Sequence, residues 1–172
     1  MSVRLLAALA ALLLAFVGCD EEPATESVGP SPAASEDEDA SAPCEPGDPA
    51  DPALAVTLDE YRILPDEDEL TRGPARFRAL NSGEKPHDLY VVEGRSIEAI
   101  PLDRKGSVDM ERLEEEGRIL GEIEGIPPGR SCDLEVDLDP GTYVLLCDIR
   151  ERGKDGVVNH FLQGMRARFK VS

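Results

Sequence analysis

An all-β, two-sheet sandwich with a short helical insert, held on a disordered tether, is the fold that this 172-residue sequence predicts. Three observations carry it. Apolar and polar residues alternate over several short runs from residue 53 onward, Gly- and Pro-rich turns separate those runs, and the segment before residue 53 has neither feature. Short alternating strands joined by turns close most readily as two packed sheets.

Taken in order, Arg4 and the apolar run Leu5 to Val17 read as an export signal over residues 1–18, too short for the roughly 20 residues of a membrane-spanning helix. The run ends in Phe16-Val17-Gly18-Cys19, which resembles a bacterial lipobox, so lipidation of Cys19 after cleavage is expected, with an ordinary secretory signal as the alternative. Residues 20–52 hold 11 acidic residues and no Lys or Arg. Such a segment has too little apolar surface to offset its ordering entropy and reads, within residues 19–52, as a self-repelling tether.

In the domain proper, residues 53–172, Val56 and Leu58 followed by Tyr61 and Ile63 suggest one first strand with a bulge at Asp59-Glu60. Asp66 to Glu69 make an acidic turn, and Ala75 to Leu80 alternate as a half-buried strand. The turn residues Asn81 to Pro86 lead into His87 to Val92, a strand with His87, Leu89 and Val91 on one face. Between residues 94 and 128 the rhythm breaks. Asp109 as N-cap and Gly117 as the residue past the end bracket a short helix, Ile119 to Ile123 form an extended piece, and the insert is expected to pack outside the sheets with its charges in water. Cys132 to Leu138 alternate with Cys132 inward, Pro140-Gly141 turn into a strand ending at Cys147, and Met165 to Val171 close the domain.

Composition excludes some functions. The net charge is −18, of which the domain carries −8 from 25 acidic and 17 basic residues, so nucleic acid is an improbable partner. The four cysteines divide by context. If Cys19 is lipidated and Cys147 binds a metal, Cys44 and Cys132 remain as a disulfide pair suited to an oxidising compartment; two unpaired thiols are less comfortable there.

Both histidines of the chain, His87 and His160, stand at positions from which they could meet Cys147, and Met165 follows His160 after four residues. A thiol, two imidazoles and a thioether are the donors that suit copper cycling between its two oxidation states. Asn81-Ser82-Gly83, Pro86-His87-Asp88-Leu89, Pro140-Gly141-Thr142-Tyr143, Cys147 and His160-Phe161-x-x-Gly164-Met165 together resemble the cupredoxins, the plastocyanin-like type 1 (blue) copper proteins, over residues 53–172. The resemblance implies a Greek-key sandwich and one type 1 copper, with His87, Cys147 and His160 as in-plane ligands and Met165 as the weak axial one. It departs from the family in the loop Asp148 to Asn159, which places 12 residues where blue copper proteins usually have two to a few. A loop that long is expected to hold His160 less rigidly. Asp88 reads either as a brace for the Cys147 loop or as a solvated strand-edge residue, and Phe161 and Leu162 either as an apolar docking patch or as core.

The function this implies is one-electron transfer between exported redox proteins, as donor and acceptor, by a monomer lipid-anchored on the outer face of the bacterial cell membrane, periplasmic or at the cell surface. The alternative is a copper carrier or buffer that delivers the ion to an exported acceptor. An enzyme is not expected: oxidases and reductases built on this fold need further histidines, and none is left after His87 and His160.

Overall fold

The computed structural model describes Cys44 and residues 54–154 and 156–172. The signal peptide, Cys19, the tether apart from Cys44, and residue 53 lie outside the described residues.

Strands β1 (Leu54–Asp59), β2 (Arg62–Pro65), β4 (Gly73–Asn81) and β7 (Ser131–Leu138) form a four-stranded sheet in the order β2-β1-β4-β7, in which β1 and β4 run parallel. Strands β3 (Glu69–Leu70), β5 (His87–Glu93), β6 (Ile119–Ile126), β8 (Gly141–Leu146) and β11 (Arg166–Val171) form the second, in the order β3-β11-β8-β5-β6. The chain passes repeatedly between the two, which gives the expected Greek-key sandwich. The alternation in the sequence becomes the inter-sheet core: Val56, Leu58, Phe77 and Ala79 from one sheet meet Leu89, Val91, Leu145 and Phe169 from the other. Phe169 packs edge-on against Phe77 and stacks on Tyr143, at centroid separations of 5.7 and 5.3 Å.

Two expectations change. Val56 to Ile63 is a hairpin rather than one bulged strand: Asp59 pairs with Arg62 across the two-residue turn Glu60-Tyr61. Tyr61 takes φ +63°, a left-handed conformation rare for a residue with a Cβ, and this reverses the chain. The acidic turn is also shorter than its charge suggests, since Glu69 already belongs to β3 and pairs with Lys170 of β11.

The helical part of the insert packs outside the second sheet as expected, but its last part does not: Ile119 to Ile126 form β6, an edge strand of that sheet paired with β5, and not a short piece outside it. Helix α1 (Met110–Glu115) starts at Asp109, whose side chain accepts the Arg112 N–H, and ends before Gly117 at φ +65°. Only Leu113 of this helix is buried; Glu111, Arg112, Glu114 and Glu115 face water. Ile100, Val108 and Leu113 cover Tyr90, Val92, Val144 and Leu146 on the outer face of the second sheet. Strand β5 is therefore buried on both faces, and this is why His87 to Val92 reads apolar almost throughout.

A disulfide joins Cys44 to Cys132 at the start of β7. The cysteine assignment from the sequence holds for this pair, and Cys147 remains a buried free thiol.

Candidate metal centre

The site lies at one end of the sandwich, where β5 begins and β8 ends. His87 opens β5 after the turn 82–86, whose shape depends on Asn81. The Asn81 side chain is wholly buried; its Nδ2 donates to the Lys85 and Ile126 carbonyls, and its Oδ1 accepts the Gly83 N–H. Cys147 follows the last residue of β8, and its N–H donates to the Met165 carbonyl at 3.2 Å.

The long connection from Cys147 to His160 is not a loose loop. Strands β9 (Arg150–Gly153) and β10 (Gly156–Asn159) pair as a hairpin with Arg150 opposite Asn159. The His160 N–H donates to the Ile149 carbonyl at 3.0 Å, closing the base of the hairpin beside Cys147. His160 then begins the helical turn α2 (His160–Gln163), capped by the Asn159 side chain on the Leu162 N–H. The expected loosening of His160 is thus corrected: ladder and cap take up the extra residues, and the imidazole is fully buried. Gly164 at φ +117° ends the turn and brings in Met165, whose N–H donates to the His160 carbonyl. A side chain at Gly164 would both strain this backbone and approach the Tyr61 carbonyl at 3.3 Å.

His87, Cys147 and His160 are all buried, and one donor atom from each lies within 4.8 Å of the others. The His87 and His160 rings meet edge-on with centroids 5.2 Å apart, and His160 Nδ1 lies 3.6 Å from Cys147 Sγ. Met165 is wholly buried and shares the core cluster of Cys147. Among the described residues neither ring nitrogen of His87 has a hydrogen-bond partner, and His160 Nε2 has only the Glu151 carboxylate near it, at 3.6 Å. Buried imidazoles normally find partners, so unsatisfied nitrogens beside a buried thiol are the arrangement a soft or borderline cation would complete.

Electrostatics agree with donors kept neutral. Burial lowers the pKa of His87, and the neighbouring His160 lowers it further; burial likewise lowers that of His160. Burial pushes the Cys147 thiol up to about 12, against the opposing pull of the Asp88 and Ile149 N–H groups on its sulfur. Metal binding at this thiol must therefore displace a proton. We expect the folded, metal-free protein to resist alkylation of Cys147 by iodoacetamide at pH 8, with rapid modification only after unfolding; mass-spectrometric counting of modified thiols checks this.

Asp88 does meet Cys147 by hydrogen bonding, but through its backbone, and it is buried rather than a solvated strand-edge residue. Its N–H, at 3.3 Å, approaches Cys147 Sγ, whereas its carboxylate turns to the Gly125 N–H at an irregularity in the β5–β6 register. Burial raises the pKa of that carboxyl. Phe161 and Leu162 divide: Phe161 is buried under the insert, and Leu162 is exposed.

Four further residues around the histidines carry no signal in the sequence. The Tyr61 ring stands edge-on to His160 at 5.2 Å, and its hydroxyl donates to Glu151 Oε1 at 3.3 Å. Lys85 Nζ also bonds Glu151, which holds the Glu151 carboxyl below its usual range, and Glu60 lies near His87 Nε2. Glu60 and Tyr61 come from the β1–β2 turn and Glu151 from β9, so only folding brings them together.

No family model matches the sequence, and no curated protein matches it. Among solved structures, the chain is similar to a dithionite-reduced auracyanin from the photosynthetic bacterium Roseiflexus castenholzii, at 20% identity and TM-score 0.46, covering 70% of this chain and 96% of that one. It is similar to auracyanin A, described as a blue copper protein of Chloroflexus aurantiacus, at 16% identity and TM-score 0.42, covering 69% and 99%. It is also similar to reduced rusticyanin, at 15% identity and TM-score 0.44, covering 70% and 79%.

Proposed function

We propose that this chain is a type 1 copper protein of the cupredoxin kind and works as a one-electron carrier, not an enzyme. The observation that carries the reading is the buried His87–Cys147–His160 cluster, with His160 Nδ1 facing the Cys147 sulfur and the ring nitrogens of His87 without a hydrogen-bond partner among the described residues. In this reading His87, Cys147 and His160 hold the metal strongly, and Met165 is the weaker fourth donor. A copper ion held there supplies a one-electron couple tuned by its thiolate and thioether donors.

The chain's own residues do the rest. The Asp88 N–H, aimed at the sulfur, stabilises a thiolate at Cys147. The backbone bonds from Cys147 to Met165, from Met165 to His160 and from His160 to Ile149 tie three of the donors into one frame. A frame of this kind resists rearrangement when the charge at the site changes. Complete burial of His87, Cys147 and His160 favours electron carriage over delivery of the ion to an acceptor, because delivery requires the donors to be reached and exchanged.

The remaining features belong to the same proposal. Residues 1–18 direct export, Cys19 carries a lipid anchor, and residues 19–52 space the copper domain, residues 53–172, from the outer face of the bacterial membrane. There it meets exported donor and acceptor proteins as a monomer. The negative charge of the chain favours basic partner surfaces, with association weakened by salt.

The test is optical. Protein loaded with Cu(II) should show an intense thiolate-to-copper band in the visible, and Cys147→Ser should abolish it. A colourless, weakly bound product with the unaltered chain would overturn the assignment.

A further inference from the structure

Each buried histidine presents its Nε2 to a carboxylate, Glu60 from the β1–β2 turn for His87 and Glu151 from the hairpin preceding it for His160. His87 Nε2 lies 3.9 Å from Glu60 Oε1, and His160 Nε2 lies 3.6 Å from Glu151 Oε1. Both carboxylates are held from behind. Glu60 Oε1 accepts the N–H groups of Glu84 and Lys85 at 2.6 and 3.1 Å, within the turn that delivers His87. Glu151 accepts from Lys85 Nζ and from the Tyr61 hydroxyl, while the Tyr61 ring closes over His160. Tyr61 stands at the left-handed position of the β1–β2 turn. With Nδ1 of His160 facing the Cys147 sulfur, its Nε2 is the nitrogen left to carry the proton. A carboxylate beside the far nitrogen of a metal-binding imidazole fixes its tautomer and orientation and raises its donor strength.

We propose that Glu60 and Glu151 are positioning residues for the two histidines: each carboxylate selects the Nε2–H tautomer of its imidazole and, by its charge, favours the oxidised state of a bound copper. The second half of this statement rests on the copper reading; the first does not. The hairpin between Cys147 and His160 is then functional in itself, because it delivers Glu151 to the face of the imidazole that it helps to bury.

The experiment has two arms. In the metal-free full chain, 15N NMR of the imidazoles should report the Nε2–H tautomer for both histidines. Glu151→Gln should reduce that population several-fold for His160, and Glu60→Gln should do so for His87. In the copper-loaded chain, each Gln variant should raise the reduction potential by about 59 mV for a tenfold change in preference between the two oxidation states, at the lower end of the effect of such partners. Lys85→Gln, which leaves the Glu151 charge unneutralised, should lower it. A purely structural role for the Lys85–Glu151 pair would instead move Glu151→Gln and Lys85→Gln in the same direction. That outcome, or unchanged tautomers in the NMR arm, overturns the proposal. Absence of a blue band in the unaltered chain speaks against the copper reading alone, and the NMR arm still decides the tautomers.

Discussion

Replacing both Cys44 and Cys132 by alanine should lower stability by roughly 4–5 kcal/mol, the chain-entropy value for the loop closed by a sequence separation of 88. The bond joins a point ten residues before β1 to the second residue of β7, so it restricts most of the described domain in the unfolded state. Cys132 is itself buried in the inter-sheet core, so its loss leaves a small void as well. Urea unfolding of the oxidised chain and of the double variant, followed by far-UV circular dichroism, measures the difference. A loss below about 1 kcal/mol would mean that the denatured chain is already compact or that the bond strains the native state.

The second large effect is expected at Asn81. Its side chain satisfies two carbonyls and one N–H inside the protein, all around the turn that sets His87 in place. Asn81→Ala removes all three bonds and leaves the buried Ile126 carbonyl and the half-buried Lys85 carbonyl and Gly83 N–H without this partner. Each group left unsatisfied costs about 1–3 kcal/mol, so a total of about 2–4 kcal/mol is expected after local relaxation. Asn81→Asp separates the parts: it keeps the acceptor for Gly83 but places a carboxylate against the Lys85 and Ile126 carbonyls, and it should be no better than alanine. Thermal unfolding ranks the variants. Loss of metal affinity in excess of the loss of stability would show that the turn positions His87 as well as stabilising the fold.

Much of this was legible in the sequence because its causes are local. The Asp109 cap and Gly117 bracket a helix whatever surrounds them, and the alternation of Cys132 to Leu138 specifies an inward face without knowledge of the partner sheet. The donor set could be listed because the chain has only two histidines, and the fold does bring both to Cys147. What escaped depends on tertiary contacts. The β9–β10 hairpin is a two-stranded ladder, exposed over most of its length, so burial imprints no apolar period on Arg150 to Asn159. Glu60, Lys85 and Glu151 are ordinary surface charges when read singly. The turn at Glu60-Tyr61 lacks the Gly or Asn that usually announces a left-handed residue, so it passed for a bulge.

The hairpin bears on how such a chain can change over generations. Its two ends are bonded to each other at Arg150–Asn159 and at Ile149–His160, immediately beside the donors. Residues beyond the next pair, Glu151–Val158, can be added or removed without altering the spacing between Cys147 and His160 in three dimensions, because the ladder absorbs changes in contour length. Loop length and donor geometry are thereby uncoupled. The outer part of this hairpin, where Val157 lies open to solvent, is free to diversify toward new recognition tasks while the buried centre below it stays as it is.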